Sequence, residues 1–260
     1  MQPRAATPSG GVRAGAAYDY IKEQLLDGRY RPGDRLPVQT FVEALGISRH
    51  PVMVALQQLA KDNLVEIIPQ VGCVATVDPR PVIDDFYRFF AAAEGLMAGM
   101  AAERCTDAEV RQLKRLSGSI GALMRSGLSA ATRGLKYRKL NRDLHAQIHA
   151  MARSPQLARD IARLWDRSDY YISTGGSDVP FARRLPVAHR EHERICAAIA
   201  RRDPAGARRA MEAHILTSLS SVTANQMAGS ARAATARAPR SRARRPAVRT
   251  GRAGTRGAAG

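Results

Sequence analysis

A chain of 260 residues with 45% hydrophobic but only 5% aromatic side chains can bury a core, built from Leu, Ile, Val, Met and Ala, a mixture that favours helices. The formal net charge of +18 calls for a polyanionic partner, nucleic acid or an anionic membrane surface, and nine Arg without an acidic residue between Met227 and Gly260 carry half of it. The absence of any apolar run of about 18 residues argues against a membrane span, the first fifteen residues lack a signal-peptide core, and Cys73, Cys105 and Cys196, without a Cys-x-x-Cys spacing, are expected as reduced thiols of a cytoplasmic protein.

Residues 1–15 are rich in Gly, Ala, Pro and Ser and are expected to be a disordered arm. Helical periodicity starts near Ala16, carries Tyr20, Ile21, Gln24 and Leu25, and is broken by the glycines and proline of DGRYRPGDRL. A short helix fits Pro37–Leu45, with Gly46 placed as its C-terminal cap. Ser48 is positioned to cap a third helix that has Pro51 in its first turn and Val52, Ala55, Leu56 and Leu59 on one face. After Asn63 the β-branched string LVEIIPQVGCVATV, interrupted at Pro69–Gly72, reads as two short strands and a turn. Asp78 to Pro81 reads as the end of this unit and a linker, placed at 79–81. From Val82 to about Val222 the pattern is helical, with six or seven helices expected. Thr106 and Glu109 make a capping box, and Asp203-Pro204 opens the last helix. The Ala/Arg/Gly/Pro tail, 223–260, is expected to be disordered and to add nonspecific DNA affinity. The expected fold is therefore mainly α: a winged helix-turn-helix over 16–78 and an all-helical bundle over 82–222.

Helix, helix, helix, hairpin is the order of a winged helix-turn-helix. The helix after Ser48 is then the recognition helix, whose N-terminal N–H groups favour a phosphate while Arg49 and His50 reach base edges or backbone. The same pattern fits a small helical cap on an enzyme with both side chains merely solvated. Residues 17–78 closely resemble the winged-helix domain of the GntR family of bacterial regulators, through LLDGRYRPGDRL and EALGISRHPVMVALQQLAKDNLVEIIPQVGCVATV. The resemblance implies a dimer on an inverted-repeat operator of double-stranded DNA. The DNA-facing set is Arg35, Gln39, Ser48, Arg49, His50, Met53, Gln70 and Gly72. Met53 and Val54 stand where the family usually has Arg and Glu, so a base contact is lost; Met53 can still pack on a thymine methyl.

Five of the six histidines fall in the second unit. Asn141 and His145 are four apart and share a helix face; His192 and His214 lie on later helices, and together they offer three imidazoles and an oxygen to a divalent ion. His149 and His189 compete for that role. Residues 82–222 resemble the FCD ligand-binding domain of the FadR-like branch, through NRDLH, EHERICAAIARRDPAGA and MEAHI. The resemblance implies a metal (Zn, Ni or Mn) on Asn141, His145, His192 and His214, completed by a small-molecule effector, commonly an organic acid. Asn141 replaces the family's Asp and weakens the donor set. Phe90 and Glu94 stand at the family's Arg and Glu positions, so an expected clamp on an anionic effector is missing. The effector pocket is expected to comprise Phe90, Glu94, Asn141, His145, His192 and His214, while Trp165, Tyr170 and Tyr171 fit a core. The expected function is a ligand-responsive, homodimeric DNA-binding regulator, associated with the nucleoid and not with membrane. The alternatives are a metal-dependent hydrolase, for which no general base stands beside the histidines, and an architectural nucleic-acid binder held by charge alone.

Overall fold

The computed structural model describes residues 10–175 and 179–237. The N-terminal unit runs α1 (Gly10–Leu26), α2 (Val38–Leu45), α3 (Arg49–Lys61), β1 (Val65–Ile68) and β2 (Gly72–Ala75). Ala17, Ile21 and Leu25 recur every fourth residue along α1 and are fully buried, facing Val52, Leu56 and Leu59 of α3. Gly46 closes α2 in the left-handed region (φ 61°) and its N–H returns to the Val42 carbonyl, the conformation a residue without a side chain adopts most cheaply. That cap is what turns the chain tightly into α3.

β1 and β2 pair antiparallel with Val65 opposite Ala75 and Ile68 opposite Gly72. An isolated bridge, not anticipated, ties the preceding segment to this two-stranded sheet: Arg35 bridges Val74, and Leu36 N–H donates to the Cys73 carbonyl at 2.8 Å. Gln70 (φ 63°) and Gly72 (φ 107°) form the wing turn.

Six further helices among the described residues make the second unit: α4 (Arg80–Arg104), α5 (Asp107–Met124), α6 (Ala130–Met151), α7 (Pro155–Thr174), α8 (Leu185–Ala200) and α9 (Pro204–Arg237). The Thr106–Glu109 capping box is present, with Thr106 N–H donating to Glu109 at 2.9 Å. At the head of α9, the Gly206 N–H donates to Asp203 Oδ1 at 2.8 Å. α4 and α9 make the most extensive helix pair; a Cβ at Gly95 would lie 2.6 Å from Glu212 Cγ, on a side chain that can swing aside, and one at Gly99 would lie 3.3 Å from the Pro204 carbonyl oxygen. Cys73, Cys105 and Cys196 are free and buried.

Three expected boundaries are corrected. α1 begins at Gly10, so residues 10–15 of the expected arm are helical, because Gly and Ala next to a packed helix can extend it. The expected linker shrinks, since α4 starts at Arg80 with Pro81 in its first turn, where a missing N–H costs nothing. α9 runs to Arg237, through residues 223–237 of the expected disordered tail, whose alanines favour helix. Residues 1–9, 238–260 and Gly176–Ser177 of the Gly-rich stretch lie outside the described residues. No helix among the described residues is long and apolar enough to cross a membrane.

Candidate functional site

At the N-terminal unit, Ser48, Arg49 and His50 open α3 and are exposed, as are Arg35, Gln39, Gln70 and Gly72. Ser48 occupies the cap position with extended backbone, but its side chain makes no cap hydrogen bond. The first N–H groups of α3 therefore face outward beside two basic or titratable side chains, an arrangement suited to a phosphate. Gln39 donates to Glu43 at 3.0 Å. Met53 differs from the rest: it is half-buried and packs on the core, while its neighbour Val54 is the exposed apolar side chain at this end of the helix.

In the helical unit, α6, α8 and α9 bring His145, His192 and His214 together, one nitrogen from each lying within 4.8 Å of the others, all three residues buried. His192 Nε2 and His214 Nε2 are 3.2 Å apart. Two carboxylates fix the ring orientations. His145 Nδ1 donates to Glu94 Oε2 at 2.9 Å, and His214 Nδ1 donates to Glu191 Oε2 at 2.8 Å. His145 and His214 then present an unprotonated Nε2 to the centre, His192 Nε2 donates to that of His214, and His145 Nε2 is a buried atom with no hydrogen-bond partner. Burial holds all three imidazoles below the usual histidine range, His192 and His214 well below it, with His214 and His145 adding to the effect at His192 and His145 and Arg184 adding to it at His214. Three neutral imidazoles, two of them carboxylate-oriented and one with an orphaned lone pair, fit a borderline divalent cation once His192 Nε2 gives up its proton.

Glu94 is fully buried and accepts three hydrogen bonds: from His145, from His149 Nε2 at 2.8 Å and from Trp165 Nε1 at 2.7 Å. Burial alone would raise its pKa; the histidine hydrogen bonds outweigh that and hold it ionised, below the ordinary carboxylate range. Glu94 thus stands behind the histidines, outside the adjoining cavity's wall. Phe90 is equally absent from that wall, packed edge-on against Trp165 at 5.1 Å. His149 is bonded to Glu94 and His189 sits on Gly121; neither belongs to the cluster.

The cavity beside the cluster has a free volume of about 40 Å³. Asn141, Trp165, Asp169, Phe181, Arg184 and His214 line it among others. Asn141 Oδ1 accepts from Tyr137 Oη at 3.2 Å, and Asp143 is exposed on the opposite face. Sequence reasoning missed Glu191 and Arg184. Glu191 points away from its neighbour His192, as adjacent helical residues do, but reaches His214 on the next helix. Arg184 donates to Ser218, to Glu191 at 2.7 Å and to the His214 carbonyl at 3.3 Å, while its Nε is buried without a partner. Its position ahead of α8 gave no periodic signal that would place it in a pocket.

A winged helix with exposed basic groups at the start of α3, joined to a helical domain with a buried polar cluster and cavity, is the architecture of a DNA-binding regulator. The chain belongs to the family described as bacterial regulatory proteins, gntR family, matched over residues 13–74, and carries an FCD domain over residues 85–217. It is 25% identical over 218 residues to the HTH-type transcriptional repressor GlaR of Escherichia coli, covering 82% of this chain and 96% of that protein. Similarity to the uncharacterized regulator YdhC of Bacillus subtilis, 24% over 98 residues, covers 38% of this chain and only 44% of that protein. The solved structure of Escherichia coli McbR/YncC shares the fold, with a TM-score of 0.69 at 20% identity over 84% of this chain and 99% of that one. These relatives are regulators rather than enzymes, and the chain is a transcriptional regulator of this family, not a hydrolase.

Proposed function

We propose that this protein is a ligand-responsive regulator that binds an inverted-repeat operator as a homodimer and senses its effector at a metal centre in the helical domain. The observation that carries the reading is the orphaned Nε2 of His145, facing two further buried imidazoles whose outer nitrogens are free or held by carboxylate. His145, His192 and His214 would hold the ion, with Asn141 as the neutral oxygen donor from the adjoining wall. Bound there, a divalent cation supplies a positive charge that attracts an oxygen of the effector. Glu94 and Glu191 hold the rings in the ligating tautomer. Arg184, with an unpartnered N–H on the cavity wall, takes the place of the arginine missing at Phe90 and keeps an organic acid as the favoured effector class.

At the other end, α3 lies in the major groove with Arg49 and His50 toward bases or phosphates, and the Gln70–Gly72 turn approaches the backbone. Such a protein works in the cytoplasm on the nucleoid. Response then requires that the effector bind two arrangements of the dimer with different affinity.

Metal content by plasma mass spectrometry tests the centre. Near-stoichiometric metal is expected in the wild type after a chelator-free, metal-supplemented preparation, and none in the His145→Ala, His192→Ala double variant. A metal-free wild type would overturn the metal reading and leave the histidines as pocket lining.

A further inference from the structure

Helix α7 stands between the cavity and the winged helix, and it is bonded on both sides. Toward the cavity it presents Trp165, Ser168, Asp169 and Ile172. Toward the N-terminal unit, Tyr170 Oη donates to the Thr76 carbonyl at 2.7 Å, and Tyr171 Oη and Arg167 donate to Asp78 at 2.5 and 3.0 Å. Asp166 pairs with Lys22 of α1 at 3.4 Å. Asp169 and Asp166, less than one helical turn apart, share a single guanidinium: Arg142 lies 2.7 Å from Asp169 Oδ2 and 2.8 Å from Asp166 Oδ1.

Asp169 is the one carboxylate in the cavity wall among the described residues, and it also lines the groove between α1, α6 and α7 in which Lys22 and Arg142 sit. Arg142 follows Asn141 on α6, so adjacent residues address the two sides. We propose that the chain Asp169–Arg142–Asp166–Lys22 is the coupling element through which occupancy of the cavity changes the seating of α1, and with it the winged helix. This rests on the reading of the helical domain as the effector sensor. The mechanism is competition for one cation. A charged group entering the cavity acts first on Asp169. As Asp169 tightens or loosens on Arg142, the guanidinium leaves or approaches Asp166, and Asp166 changes its hold on Lys22. The pairs are only partly exposed, so water screens them weakly. The tyrosine bonds to Thr76 and Asp78 hold the far end of α7 while this exchange occurs.

Amide hydrogen exchange on the full chain tests the coupling without any effector, so its failure is separate from failure of the metal centre. Asp169→Asn removes the cavity-side charge at constant shape, three links from Lys22 of α1. The α1 peptide should then exchange at least about twofold faster relative to an α5 peptide, the lower bound for residues sharing one ion-pair network. Combined with Asp166→Asn, the effects should be non-additive. Ser168→Ala, on the same wall but bonded to Tyr87 at 3.2 Å, should leave α1 unchanged. An unchanged α1 in Asp169→Asn, additive effects, or an equal loosening by Ser168→Ala each overturns the proposal. Should Asp169→Asn fail to fold, Lys22→Met tests the same chain from the other end. Coupling is reciprocal, and the single tryptophan, Trp165, has the Arg142 guanidinium 5.4 Å from its ring. Lys22→Met should shift Trp165 emission although Lys22 pairs with neither residue; an unchanged spectrum overturns the coupling.

Discussion

Arg49 and His50 stand in water at the start of α3, held only by the backbone beneath them, whereas His145, His192 and His214 stand inside a helical core with carboxylates at their backs. At the first end, polar groups are spare: the Ser48 side chain and the leading N–H groups of α3 have no intramolecular partner to surrender when a phosphate arrives. At the second end, most polar groups are spoken for, and the few that are not include His145 Nε2 in the histidine cluster and Arg184 Nε on a residue of the adjoining cavity wall. A surface that reads a long polyanion can leave its donors to solvent. A pocket that must discriminate one small molecule has to orient every donor beforehand, and the helical core supplies the rigidity.

The contrast implies that substitutions at the two ends fail differently. The largest effect is expected at Glu94. Glu94→Ala leaves His145, His149 and Trp165 with buried, unpaired donors and should cost about 3–5 kcal/mol in urea unfolding. A loss under about 1 kcal/mol would mean the cluster is not preorganised, and the comparison would break. Next comes Arg49→Ala. Binding to an operator selected from genomic fragments should weaken by about 1–3 kcal/mol in fluorescence anisotropy, with stability changed by less than about 0.5 kcal/mol. A stability loss as large as that of Glu94→Ala would erase the distinction between the two ends.

Most gradual is a pH dependence confined to the helical end. His145, His192 and His214 all have folded-state pKa values below the unfolded value of about 6.5. Below that pH the unfolded chain binds protons that the folded one refuses, so metal-free protein should lose stability as pH falls from about 7 toward 5. The slope is at most about 1.4 kcal/mol per pH unit for each histidine kept neutral. Replacing His192 with Gln should flatten the curve. A profile level between pH 7 and 5 in the wild type would show that the imidazoles are not desolvated as described.

Much of the DNA-reading end was legible because its determinants are local. Gly46, the Ser48 position, Pro51 and the Gln70–Gly72 turn each specify the backbone within a few residues. The helical end was legible only where periodicity or a cap fixed a helix, as at Thr106 and Asp203. That Asn141 and His145 share a face follows from a spacing of four; that His192 and His214 meet them does not, and the resemblance to FCD domains supplied it. Glu191 gave no signal, since it points away from its sequence neighbour His192 and its partner, His214, lies on another helix. Phe90 and Glu94 were placed in the effector pocket by position, yet one fills the core and the other supports His145 from behind. The Arg35 bridge escaped notice because a single pairing leaves no alternation to detect.

Gly95 gives α4 its close approach to α9, and Glu212, the side chain it admits, lies two residues before His214. A methyl group at position 95 would displace the Glu212 side chain, and one at position 99 would press on the backbone at the head of α9, the helix that delivers one imidazole to the cluster. In a genetic screen for constitutive regulators, such a change would resemble a histidine mutant although it touches neither DNA nor effector. Small residues along α4 therefore act as a spacer whose thickness sets the alignment of the sensor.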